Sequence, residues 1–143
     1  MLRWQGHIRS LLASAGAAAT AAAFIAAPAC AQTGIDRTVE HDGRTRAYRI
    51  YSPSNLDSEQ LAPLVFALHG GGGNGPREEG RVRYNEFAER DGWIVVYPDA
   101  VNGHWNDLRG FEGFVSQREH VDDIGFIELL LNQVSTEFPI DPN

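Results

Sequence analysis

Two apolar runs set the frame of the chain. Leu64–Leu68 follows Pro63, and Trp93–Tyr97 is closed by Pro98. Continuous apolar runs of this length, bounded by turn residues, read as strands buried on both faces. Between them Tyr84, Phe87 and Ala88 fall at i, i+3 and i+4, one face of a helix, and Asp91-Gly92 supplies its stop. Strand, helix and strand predict a parallel pair joined by a right-handed crossover. Pro76 to Arg83, dense in charge, reads as irregular connection. Upstream, Thr38–His41 and Arg44–Tyr51 flank Asp42-Gly43, a hairpin pattern. Ala47 and Arg49 alternate with Tyr48 and Ile50, so the second strand of the hairpin is half-buried, and His41 at its mouth is expected in solvent. Downstream, Val101 to Gln117 reads as a loop. Phe126, Ile127, Leu130, Leu131 and Val134 then mark a helix that runs to about Phe138 and closes at Pro139, with Asp122 or Asp123 as its cap. The fold class is α/β, a hairpin followed by a βαβ unit.

The first 31 residues follow a different pattern. Arg3, His7 and Arg9 give a positive start without acidic residues, Leu11–Ala27 is apolar and rich in alanine, and Ala29-Cys30-Ala31 is a small-x-small site. That is the layout of a secretory signal peptide. It divides the chain into 1–31, removed on export, and 32–143, the folded part. Cleavage before Gln32 fits Ala29-Cys30-Ala31, and cleavage before Cys30 fits Ala27-Pro28-Ala29. The stretch is too short and too alanine-rich for a span, which needs about 20 strongly apolar residues. Cys30 as a lipidated residue ranks lower, because no Leu stands at the usual place before it.

Charge narrows the partners. The sequence carries 12 basic and 19 acidic residues, net −7; without Arg3 and Arg9 the remainder is at −9. Such a surface repels nucleic acid and anionic lipid. Cleavage before Gln32 would leave no cysteine, and with it no disulfide framework, no Cys nucleophile and no thiolate metal site. No cofactor or metal motif appears; His104 and Asp107 lack metal-ligand spacing.

The candidate chemistry lies where the first apolar run breaks into His69-Gly70-Gly71-Gly72-Gly73-Asn74-Gly75. A glycine-rich loop at the carboxyl end of a buried strand stands where ligands sit in open α/β sheets. Three readings stay open on the residues alone. One is an oxyanion hole, with a loop N–H holding the charged oxygen of a tetrahedral intermediate. Another is a phosphate cradle, although the Gly-Lys-Ser/Thr ending of a P-loop is missing. The third is a flexible glycine turn. Trp105, with His104, Asn106 and Asp107 around it, is either a substrate-side wall or a loop pinned by a half-buried indole.

The His69–Gly75 loop resembles the His-Gly-Gly-Gly loop of secreted α/β-hydrolase esterases, in particular the polyhydroxybutyrate depolymerase and feruloyl esterase group. Asp91–Ala100, His104-Trp105-Asn106-Asp107, Val121–Phe126 and Phe138–Asn143 match that group in order, so the resemblance covers about residues 40 to 143. It implies the N-terminal half of an α/β-hydrolase fold, truncated before the nucleophile elbow. It implies a secreted serine esterase acting on a polyhydroxyalkanoate or on feruloyl or acetyl esters of plant polysaccharide. It also implies an oxyanion donor at Gly71 flanked by Gly70 and Gly72, with His69, Trp105 and Asn106 on the substrate side and His69 orienting the loop. None of the serines lies in Gly-x-Ser-x-Gly, and in this group the elbow strand follows the Ile140-Asp141-Pro142-Asn143 segment. Nucleophile, acid and His are therefore expected beyond Asn143, and Asp99, Asp123, His104 and His120 form no triad. The chain alone is expected to be inactive. The alternative is a non-catalytic secreted protein that binds carbohydrate or polyester at Trp105.

Overall fold

The computed structural model describes residues 33–142; the expected signal peptide and Cys30 lie outside them. Strands β1 (Ile35–His41) and β2 (Arg44–Tyr51) form the predicted hairpin, with His41 opposite Arg44 across the Asp42-Gly43 turn. Both turn residues have positive φ, 50° and 69°, the geometry a two-residue hairpin loop needs to match strand twist. After β3 (Leu64–Phe66) come helices α1 (Gly75–Val82) and α2 (Tyr84–Asp91), then β4 (Ile94–Pro98). A short 3₁₀ turn (Val101–Gly103), helix α3 (Val115–Arg118) and helix α4 (Asp123–Glu137) complete the order.

The four strands make one mixed sheet in the order β1-β2-β4-β3. β3 and β4 are parallel, with Val65 opposite Val95, while β2 pairs antiparallel with both β1 and β4. β4 is central and buried throughout, and its alternation serves both faces. Ile94 and Val96 join Tyr48, Ile50, Phe126, Leu130 and Val134 under α4. Val95 and Tyr97 join Tyr51, Ala67 and Ala88 under α1 and α2. Burial of this kind is worth about 2 kcal/mol per large aliphatic side chain.

Several expectations are corrected. β3 is three residues long and an edge strand of the described sheet, so Leu64, Val65 and Phe66 are half-buried and Leu68 is 48% exposed. The segment after the glycines is helix α1, because Asn74 caps it by accepting the Arg77 N–H and Pro76 sits in its first turn, where a missing N–H costs nothing. Phe87, assigned to the apolar face of α2, is 41% exposed and stacks on Trp93. His41 is packed rather than free: Nε2 lies 3.1 Å from Asp122 Oδ2, and its ring sits beside Phe126. The cap of α4 is Asp122, which accepts the Gly125 N–H at 2.9 Å; Asp123 is buried in an ion pair with Arg46. Tyr48, Ile50, Phe126, Leu130 and Val134 are buried as the periodicity required, while Leu131 is 44% exposed.

Among the described residues, β3 is met on its outer side only at its entry. Ala62 bridges in parallel to Ile140, through Ala62 N–H to Pro139 O and Asp141 N–H to Ala62 O. Beside that bridge an apolar groove of about 380 Å³ runs between Leu64, Phe66, Ile127, Leu131 and Ile140.

Candidate functional site

The glycine loop leaves the sheet at the carboxyl ends of the parallel strands β3 and β4, and the segment after β4 holds it there. His69 is 3% exposed. Its Nε2 accepts the Ala100 N–H at 3.0 Å, and its Nδ1 lies 2.8 Å from Gly70 O. A carbonyl only accepts and an amide only donates, so the ring carries its proton on Nδ1 and both nitrogens are engaged. Trp105 approaches from the other side. Its indole N–H donates to His69 O at 2.9 Å, and the two rings lie 5.1 Å apart.

The rest of the loop is equally constrained. Gly72 donates to Gly103 O at 2.8 Å, and Gly73 to Gly70 O at 3.0 Å. Gly72 and Gly103 both have positive φ and touch each other's backbones, so a Cβ at Gly103 would be strained and tight, 3.2 Å from Gly72 Cα. Gly75 donates its N–H to the Asp99 carboxylate. A Cβ on Gly75 would stand 2.4 Å from Tyr97 O. Asp99 and Asn74 thus occupy the N-terminus of α1, where a phosphate would have to bind. That arrangement leaves no free helix N-terminus for a phosphate.

Of the three glycines assigned to an oxyanion hole, Gly72 has its amide committed to Gly103. The amides of Gly70 and Gly71 donate to no group among the described residues, and both glycines are exposed. The loop therefore offers open N–H donors at the carboxyl end of β3 on a rigid backbone.

The neighbouring run is shared between support and surface. Asn106 donates its backbone N–H to Asp123 Oδ2 at 2.6 Å and its side-chain amide to Val121 O at 2.9 Å. Asp123 in turn takes Arg46 Nη2 at 2.7 Å, and that nitrogen also reaches Asp99 O at 3.1 Å. One buried ion pair thereby ties β2, the segment after β4, the Asn106 backbone and the start of α4 together. The Arg46 guanidinium also lies 3.9 Å over the Phe126 ring. Asp107 is held below the usual carboxylate range by its hydrogen bond to Arg109. His120 is exposed. Sequence reasoning weighed Asp99 only as a triad member and gave no role to Gly103 or Phe114. Asp99, directly after a fully buried strand, was the one of these with a visible cue.

The chain is 27% identical over 101 residues to the bifunctional acetylxylan esterase/xylanase XynS20E of Neocallimastix patriciarum, covering 69% of this chain and 13% of that protein. It is 28% identical over 123 residues to a protein named "Putative esterase NocK" from Nocardia uniformis subsp. tsuyamanensis, covering 81% of this chain and 33% of that one. The crystal structure of a thermostable esterase superposes with a TM-score of 0.59 at 17% identity, over 78% of this chain and 32% of that one. The relatives are esterases. No family model matches the chain. The structural likeness is one of fold: a mixed sheet covered by helices on both faces, compatible with the α/β-hydrolase type. The chain spans at most a third of the length of the curated relatives it matches.

Proposed function

We propose that this chain is the N-terminal part of a secreted serine esterase, and that it supplies the oxyanion loop of the active site. The observation that carries the reading is the Gly70-Gly71 pair, whose amides are open while His69 and Trp105 hold the backbone around them. In ester hydrolysis a serine attacks the carbonyl carbon, and negative charge collects on the carbonyl oxygen. A fixed N–H beside that oxygen stabilises the charge without reorganising, an effect worth about 3 kcal/mol per donor. Gly71 is the donor and Gly70 its neighbour, with Gly72 as the hinge that shapes them. His69 is a positioning residue, since both of its nitrogens are engaged. Trp105 and Asn106 sit on the substrate side and hold that wall in place.

The nucleophile, the acid and the general-base His belong to sequence after Asn143. The next strand would pair with the open side of β3, in continuation of the Ala62–Ile140 bridge, and cover the groove lined by Phe66 and Leu131. Its carboxyl end would then bring a nucleophile elbow beside Gly71. The substrates are carboxylic esters. The acetylxylan esterase relative favours esters of plant polysaccharide, and polyhydroxyalkanoate and feruloyl esters follow from the motif resemblance. Residues 1–31 are the export signal; material exported by a bacterial host and still beginning at Met1 would contradict that assignment.

The coding sequence past codon 143 tests the main reading. It should encode a short apolar strand followed at once by Gly-x-Ser-x-Gly, then an acid and a His. The extended protein should hydrolyse a short aryl ester and react with a fluorophosphonate at that serine, while the 143-residue chain should do neither. Stoichiometric labelling of a serine within residues 1–143 would overturn it.

A further inference from the structure

One ring nitrogen beside the glycine loop is left uncommitted. His104 Nδ1 lies 3.0 Å from Asn102 O, a carbonyl that can only accept, so that nitrogen carries the proton and the neutral ring leaves Nε2 as an acceptor. Nε2 has no partner among the described residues. The edge of the ring that carries it faces Gly71: a Cβ built on Gly71 would stand 3.5 Å from Cδ2 and 3.6 Å from Nε2. The ring itself is fixed, because it stacks on Phe114 at 3.7 Å between centroids with 19° between planes. Phe111 meets Phe114 edge-on at 4.8 Å and is 56% exposed, which extends the apolar wall outward.

We propose that His104 is a specificity-determining residue, which accepts a hydrogen bond from a substrate hydroxyl while the Phe114–Phe111 wall lies against the ring bearing that hydroxyl. The inference rests on the reading of Gly71 as an oxyanion donor and refines it. Nε2 lies against Gly71, the residue read as the donor, and an acceptor there rewards a free hydroxyl on the bound substrate and gives nothing to an ether or a methylene. The neighbouring donors are already committed. Trp105 Nε1 is committed to His69 O, and the Asn106 amide to Val121 O. The ligand class is thus a ring with free hydroxyls, a sugar or a phenol, and a polyester with no donors along its chain gains nothing from His104.

The test uses the 143-residue chain and needs no catalysis. Ligand-observed saturation-transfer NMR, which works with dilute protein, compares methyl β-xyloside and methyl 4-hydroxybenzoate with their O-methylated forms. At least one hydroxyl-bearing ligand should bind about fivefold more tightly than its methylated partner, the ratio expected for one partly exposed hydrogen bond; which pair discriminates identifies sugar or phenol. His104→Phe, which keeps the stack on Phe114 and loses the acceptor, should bring that ratio to about one. Equal binding within both pairs, a preference that survives His104→Phe, or no saturation transfer from any of the ligands would overturn the proposal. The ligand pairs on the unaltered chain decide it even if the variant fails to fold. Absence of a downstream elbow would instead overturn the esterase reading and leave the binding result standing.

Discussion

His69 Nε2 accepts the Ala100 N–H, so the ring at the start of the glycine loop is bolted to the residue that follows the central strand's Pro98-Asp99 exit. The bond joins the ends of two adjacent parallel strands, β3 and β4, across a gap that no strand pairing spans. Loop geometry at the site is therefore set by the sheet, not by the loop's own glycine-rich backbone. His69→Ala should cost about 3 kcal/mol in urea unfolding, since it empties a buried site and strands the Ala100 amide. Amide exchange at Ala100 and Gly72 should accelerate together. Unchanged exchange at Gly72 would show that the loop holds its shape without the ring.

The loop glycines differ in what they tolerate. Gly75→Ala would press a Cβ into Tyr97 O, a main-chain atom of the buried central strand. It should destabilise by about 3 kcal/mol or more, because neither the helix start nor the strand can yield cheaply. Gly71→Ala meets only the His104 ring at ordinary contact distance and should leave thermal unfolding nearly unchanged. Equal losses in the two variants would contradict the close approach at Gly75.

Arg46 and Asp123 form an ion pair with side chains 2% and 8% exposed. Removing one partner should be severe, about 3–5 kcal/mol, because the other charge stays buried. Asp123→Asn should also free the Asn106 N–H, detectable as faster amide exchange at that position. The double change Arg46→Met with Asp123→Leu should recover most of the stability. A double variant no better than the single ones would mean that Asp123 matters chiefly for the Asn106 backbone.

Four carboxylates predict the acid behaviour. Asp36 is held below its ordinary range by Arg49, Glu89 by Ser54 and then Tyr51, Asp122 by the Gly125 N–H, and Glu137 by Arg37. A carboxyl group with a depressed folded-state pKa adds stability above its unfolded value, about 4, and loses it as pH falls through the lower folded value. Urea midpoints should therefore be flat near neutrality and fall between about pH 5 and pH 2. Glu89→Gln should lower the midpoint at neutral pH and flatten the acid limb, and an unchanged slope would place the effect elsewhere.

Much of this architecture was legible without coordinates. Period-two alternation located the hairpin, and unbroken apolar runs located β4 and the start of β3, because strand burial leaves its record in every residue. Asp91-Gly92 ended α2 as its chemistry requires, with Gly92 at φ 77°. The position of the glycine loop was legible for a similar reason: a glycine run after a buried strand marks a backbone that others can approach closely. Helix α1 was missed because its charged residues drowned the pattern. Asn74 and Pro76 stated its start locally, but buried Glu78 and Glu79 look like surface residues until Arg81, Arg49 and Asn85 are seen to meet them.

What tertiary structure alone decided is which polar atoms remain available. His69, Gly72, Trp105 and Asn106 all read as candidates along the chain, and each has a donor or acceptor taken by a partner more than 14 positions away. His104 and the Gly70-Gly71 amides stay open at the same surface. Residue type fixes what a group can donate or accept. Whether it is still free to do so depends on contacts between segments far apart in sequence, and those exist only once β3, β4 and the loop after β4 are folded against one another.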